Sequence, residues 1–441
     1  MFLRFGFANH RSFRDPAELS FIATRLQDSS HTPLPGSSAF ARHGVLPVLA
    51  LYGANGSGKS AALHALTHLT EHVVNSFSLK PTERIPRSPF KLGGADALTR
   101  FDCDFVVAGV RYHYGFAHSD VAFEEEWLYA WPDGSKQVWL HRQGRERESW
   151  YFGPGLKGER RRIAAQTRDN CLFLSAAAQL NHEQLGTIYR HFAESCLSDE
   201  SDAHHPMMFS RSPLFHEERR PQLLQLLRAA DVGIIDFCVR EQRTAIEDTI
   251  GKLREFQLQD EAEKLAQRLR EEGEPKMIHL GHRAADGSTV FFEPDEESDG
   301  TISLINRLHA ILLILQRGGL WIVDELDRSL HPHLCAALLE LFTDPTTNPR
   351  RAQVVFSSHD RALLERLRRD EVVLVDKHHD NASVITRMSD FKVLKREHIQ
   401  QVYADGRVGG VPILGDLRRA LRAAGSEATL EREPSASTVT P

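Results

Sequence analysis

Apolar residues fall along this chain in two rhythms, and the rhythms separate its elements. Val48, Leu49, Ala50, Leu51 and Tyr52 form an unbroken apolar run, as a strand buried on both faces requires. Gly319 to Val323 (GLWIV) and Gln353 to Phe356 (QVVF) have the same character. Between 99 and 152 the chain changes to short alternating runs, RFDCDFVV, VRYHYGFAH, EEEWLYAW and KQVWLHR, separated by Gly and Asp-Gly-Ser turns, which predicts an antiparallel sheet. Met1 to Ala8 alternates like a further strand. Helices are predicted over Ala61 to Thr70, Leu172 to Leu185, Leu223 to Leu227 and Ile302 to Leu315, and Asp286-Gly287 predicts a hairpin. Residues 241–272 are charged, with Ile246, Ile250, Leu253, Leu265 and Leu269 mostly three or four apart, which predicts a short helical arm ended by Gly273 and Pro275. The tail from 425 lacks core residues and is expected to be disordered.

The loop between the first buried strand and its helix carries the chemistry. Gly53, Ala54, Asn55, Gly56, Ser57, Gly58, Lys59 and Ser60 read GxxxxGKS, a phosphate-binding loop, with Ala61 opening the helix. Its glycines let backbone N–H groups turn inward around phosphate oxygens, Lys59 reaches the β and γ phosphates, and the Ser60 hydroxyl ligates Mg²⁺. The helix adds the positive end of its dipole. Asp324 and Glu325 end the second apolar strand, where the first acid would hold the metal shell and the second polarise the attacking water. His359 tips the third, where a neutral imidazole would bond the γ-phosphate or the water. All three polar tips belong at the carboxyl ends of strands in an open α/β sheet, where its ligands gather. Ser298 and Asp299 precede the helix at 302 and are good N-caps, which leaves two readings: a plain cap, or a second anion site for a neighbouring subunit's γ-phosphate.

In this order the motifs resemble the ABC-type ATPase heads of SMC and RecF proteins. Phe5 to Phe13 (FGFANHRSF), Glu297 to Thr301, Asp324 to Pro332, Asp390-Phe391-Lys392 and Tyr403 to Pro412 (YADGRVGGVP) are similar to the compact bacterial AAA-family ATPases related to the OLD (overcoming lysogenization defect) group. The resemblance covers roughly residues 1–415. It implies a P-loop NTPase of ABC/SMC-head type, a mixed α/β sheet with an antiparallel lobe and an inserted helical region. It also implies Mg²⁺ with ATP as cofactor, Ser60 and Asp324 as metal residues, Glu325 as general base and His359 as switch histidine. Ser298 and Gly300 become the signature that completes a partner's site in trans, and Asp327 to His331 the loop between sites. His331 departs from the Asp that commonly ends this loop in transporter-type heads, and no glutamine-type metal ligand can be placed after the phosphate-loop helix. The implied organisation is 1–98 and 289–415 as the two parts of the head, 99–152 as the β lobe, 153–288 as the helical insertion and 416–441 as tail. The implied role is the ATP-driven sensor of an anti-phage or abortive-infection system, a homodimer or larger homo-oligomer whose effector is encoded nearby.

Composition narrows the alternatives. The net charge of −6 gives no global drive toward nucleic acid, so contact with DNA or RNA would need a local patch such as Lys157 with Arg160, Arg161 and Arg162, which reads more simply as a solvated face. Five scattered cysteines without CxxC spacing predict free thiols of a reducing cytosol. No apolar run approaches the roughly 20 residues of a membrane span, and the expectation is a cytoplasmic protein that binds no membrane. The histidine pairs 204–205, 331/333 and 378–379 lack the acids or cysteines of a metal site. A nuclease of the OLD type would need a toprim domain of about 100 residues after His359, and only about 80 follow. RecF-like DNA repair is the other reading.

Overall fold

The computed structural model describes residues 1–26, 31–36, 41–199, 220–241, 276–392 and 398–411, with five isolated positions between 251 and 263. The predicted tail, the His204-His205 pair and nearly all of the predicted charged arm lie outside these residues.

The three unbroken apolar runs lie side by side. They occupy the middle of a six-stranded sheet ordered Ser383–Arg387, Val372–Lys377, Val48–Tyr52, Gln353–Ser357, Leu320–Val323 and Cys196–Asp199. All neighbours are parallel except the Ser383–Arg387 edge. Such a sheet must be covered on both faces, which explains why its central strands are apolar at every position. Leu49, Leu51, Ile322 and Val355 face one core, shared with the phosphate-loop helix Lys59–Asn75 and the antiparallel sheet. Val48, Ala50, Trp321, Val354 and Phe356 face the other, under the helices Asp299–Arg317 and Pro332–Thr343. The Asp299–Arg317 helix buries Leu304, Leu308, Ile311 and Ile314 at helical spacing. Ile311→Ala would cost about 2–5 kcal/mol by leaving a cavity between helix and sheet.

The alternating runs form a seven-stranded antiparallel sheet in the order Ala17–Ser20, Phe2–Ala8, Thr99–Val107, Val110–His118, Phe123–Trp131, Gln137–Gln143 and Tyr151–Phe152. Its first two strands come from the start of the chain, so the segment 1–98 contributes to both sheets. Gln353 ties the two together: buried at the start of its strand, it accepts from Phe2 N at 2.8 Å and donates to the carbonyls of Phe2 and Leu46. A third, three-stranded sheet, Ile234–Glu241, Lys276–Arg283 and Thr289–Phe292, contains the hairpin at Asp286-Gly287.

Two local readings change. The helix expected over 172–185 is two helices, Phe173–Gln179 and Glu183–Ser195. Asn181 between them has a left-handed φ of 61°, which Asn tolerates, and His182 caps the second helix by accepting from Leu185 N. Glu126 holds the first one. Fully buried, it accepts from Phe173 N and Leu174 N at 2.7 and 3.0 Å, a carboxylate at a helix N-terminus. The edge strand Cys196–Asp199 was not predicted, because CLSD is too short and mixed to stand out.

Candidate nucleotide-binding site

The phosphate loop has the backbone its glycines allow. Gly56 and Gly58 sit at φ 75° and 118°, and the helix that follows starts at Lys59 with no side-chain cap, which leaves its first amides open. Around a Cβ placed on Gly56 there is nothing within 4 Å, whereas one on Gly53 would lie 2.3 Å from the Val375 carbonyl. The loop is therefore tight on its inner side and open at its mouth. Lys59 Nζ folds back across it, donating to the carbonyls of Gly53 and Ala54 at 2.8 and 3.2 Å. Burial lowers the Lys59 ammonium below its ordinary range, opposed by the carboxylates of Asp324, Glu325 and Asp327.

Those carboxylates all follow the strand Leu320–Val323, which is separated from Val48–Tyr52 by Gln353–Ser357. Register places Val323 beside Phe356 and Ser357 beside Leu51, so the tips carrying Asp324, His359 and the phosphate loop emerge together. The Ser357 hydroxyl, at 2.5 Å from Asp324 Oδ1, donates to it, while Ser357 Oγ accepts from Glu325 N at 2.8 Å. Glu325 has a left-handed φ of 53° and an exposed side chain, so strain is accepted where a base would have to reach water. Asp327 Oδ2 accepts from His359 N, which joins the loop after the acids to the exposed His359.

Several features escaped the sequence reading. Arg307, buried within the otherwise apolar Asp299–Arg317 helix, donates to the carbonyls of Glu325 and Arg328 at 3.0 and 3.1 Å and so braces the turn after the acids. A lone cation inside an apolar helical run was the available signal. At the start of that helix, the Ser298 hydroxyl accepts from Thr301 N at 3.1 Å, and a Cβ on Gly300 would lie 2.8 Å from the Ser329 carbonyl. Ser298 and Gly300 thus adjoin the 327–331 loop of the same chain, in which His331 caps the Pro332–Thr343 helix through His333 N. Behind the phosphate loop, His64 and His68 stack at 5.1 Å along the Lys59–Asn75 helix, His10 stacks on His64, and His72 meets His68 and His118 edge to face. Burial first, then Arg11 and the neighbouring His68 ring, lowers the His64 imidazole to about 4. His118, also lowered chiefly by burial, lies at about 3. Among the described residues no group of three or more His, Cys, Asp or Glu could hold a metal ion, and His10 Nε2 and His64 Nδ1 share a hydrogen bond at 3.0 Å.

The other predicted features are placed as follows. Arg160 to Arg162 open a short helix in which Arg162 pairs with Glu159 at 3.1 Å and Arg161 lies over Phe152. All five cysteines are free thiols. No helix among the described residues is long and apolar enough to cross a membrane.

Residues 48–365 match the family described as "AAA domain, putative AbiEii toxin, Type IV TA system", which spans well over half of the chain and runs from the first buried strand past His359. The chain belongs to this AAA family. Its fold is that of a P-loop NTPase, a mixed α/β architecture of parallel and antiparallel sheets. Among solved structures, the SMC head bound to the C-winged helix domain of ScpA aligns over 87% of this chain and 96% of its own, at 10% identity and a TM-score of 0.39. No curated protein matches this AAA chain.

Proposed function

We propose that this AAA protein binds Mg·ATP at the 53–61 loop and hydrolyses it. The observation that carries this is the convergence of an uncapped, glycine-shaped loop with Asp324 and Glu325 at the end of the next strand but one, close enough for their charges to act on Lys59. The residues fit the group. Lys59 would exchange its loop carbonyls for phosphate oxygens, and the amides of Gly56 and of Gly58 to Ala61 would take the rest. Ser60 would ligate Mg²⁺ directly and Asp324 would act through its water shell, the metal supplying positive charge against the phosphates. Glu325 would take the proton of the attacking water, and His359 would orient that water or the γ-phosphate. Magnesium-dependent phosphate release that disappears in Lys59→Ala tests this reading. Equal release by the variant would sink it.

At the level of the cell, the reading best supported is a sensor or regulatory ATPase of an anti-phage, abortive-infection system. Support comes from the words "putative AbiEii toxin, Type IV TA system" in the family's description and from the OLD-like motifs. In this reading ATP closes two copies on each other, the Ser298–Gly300 helix start of one facing the phosphate loop of the other, and the closed form acts on a cytoplasmic effector encoded nearby. ATPase activity unmoved by DNA is the expected result. Tight binding of duplex or gapped DNA by the pure protein would favour the repair reading instead.

A further inference from the structure

The outer side of the phosphate loop is held by two segments from opposite ends of the chain. Ser12 lies in a tight turn in which His10 N donates to Phe13 O at 2.8 Å. Ser383 opens the edge strand Ser383–Arg387, and its N–H donates to Ser12 O at 2.7 Å. The Ser383 hydroxyl, 3% exposed as a residue, lies 2.8 Å from Ser12 Oγ and 2.5 Å from the Ser57 carbonyl, to which it donates. Gly58 is enclosed by the same pair: a Cβ there would lie 2.4 Å from Ser383 Oγ and 2.8 Å from Ser12 Oγ. Arg14 and Asp380, paired at 2.7 Å, close the two segments on each other further out.

The consequence lies in the peptide that Ser383 touches. A trans peptide is planar, with its C=O and N–H on opposite sides. Drawing the Ser57 carbonyl outward therefore turns the Gly58 N–H the other way, toward the mouth of the loop. Gly58, at φ 118°, cannot hold that orientation by its own preference, because glycine is permissive in both hands. We propose that Ser383, supported by Ser12, is a positioning residue for nucleotide: it fixes the Ser57–Gly58 peptide so that the cradle exists before the phosphate arrives. The proposal rests on the reading of the loop as an ATP site.

Affinity for a fluorescent ATP analogue in Mg²⁺, steady-state hydrolysis and nucleotide-free melting temperature, taken together on the full chain, test this. Ser383→Ala should weaken nucleotide binding about five- to tenfold, the worth of one buried hydrogen bond, and raise KM in step, with kcat changed less than about twofold. Ser12→Ala, at a half-buried position that keeps the test open if the first variant does not fold, should weaken binding about threefold. The double variant should bind as Ser383→Ala does, because both hydroxyls act through one peptide. Wild-type affinity in Ser383→Ala with a lowered melting temperature would overturn the proposal and make the contact purely structural, as would losses that multiply in the double variant. Absence of binding by the wild type itself would remove the nucleotide reading and the proposal with it.

Discussion

Two long helices serve the candidate site, and they begin differently. Lys59–Asn75 starts from a left-handed glycine, with no side-chain cap and no acid in its first turn. Asp299–Arg317 starts from Ser298, whose hydroxyl already accepts from Thr301 N, and carries Asp299 in its first turn. A helix leaves its first amides unpaired unless something takes them. The first helix keeps them for a ligand and attracts anions; the second satisfies itself and sets a carboxylate against its own dipole. A lone subunit therefore offers one ready phosphate site, and the second helix start gains a role only when another surface is brought to it.

The largest effect should come from the open end. Lys59→Ala leaves phosphate charge unpaired where Asp324, Glu325 and Asp327 already repel it, so ATP binding should fall beyond about a hundredfold by calorimetric titration, about 3 kcal/mol. Next is Glu325→Gln, which keeps the shape and loses the base. Binding of Mg·ATP should persist while phosphate release drops about 10²- to 10⁴-fold. Unchanged turnover would remove Glu325 from the chemistry.

Acid should separate the two helices less sharply. The imidazoles of His10, His64, His72 and His118 lie below their ordinary value, held there chiefly by burial. Their ordinary value is about 6.5. The unfolded chain then binds more protons than the folded one below about pH 6.5, so stability is complete above that pH and falls as pH drops toward the depressed values. Each buried ring that must stay neutral costs up to about 1.4 kcal/mol per pH unit below its ordinary value, so stability is lost steadily as acid is added. Because His64 and His72 both lie on Lys59–Asn75, amide exchange at pH 5.5 should rise in that helix and the facing strands before it rises in Asp299–Arg317. Simultaneous loss of protection in both would refute a local origin.

The same contrast marks what could be read from sequence. The phosphate loop, Asp324, Glu325 and His359 were legible because each sits at the end of an apolar run, and a run buried on both faces betrays its strand without any partner being known. Ser298 was legible as a cap for the same local reason. Arg307, Ser357 and Ser383 were not, because their roles exist only across the fold: Ser383 meets Ser12 from 371 residues away, and nothing in its neighbours announces that. The histidines of Lys59–Asn75 repeat every four residues, yet that spacing marks only a helix face. Their burial depends on His10 arriving from the turn after Phe2–Ala8 and His118 from the end of Val110–His118. Cys196–Asp199 failed for a further reason, since a four-residue edge strand takes its identity from the register of Leu320–Val323 beside it.

The smallest effect on a single chain, and the sharpest test of the comparison, belongs to Ser298. Ser298→Ala should cost about 1 kcal/mol of stability as a lost N-cap and leave nucleotide affinity of the isolated chain unchanged. Ser298→Arg adds bulk and a cation at a point where the helix start would meet a partner's phosphate. It should spare binding by the lone chain, because the open amides and Lys59 belong to the other helix. It should also block ATP-dependent association, read by light scattering with Glu325→Gln in the background so that ATP is not consumed. Mixing then decides between cap and shared site. Lys59→Ala keeps an intact Ser298, and Ser298→Arg keeps an intact phosphate loop, so a heterodimer of the two contains one complete site if sites are shared and none if each chain uses its own Ser298. Hydrolysis that returns on mixing two inactive variants would establish the trans arrangement. Full activity of Ser298→Arg alone would return this helix start to a cap and leave the phosphate loop as the only anion site of the pair.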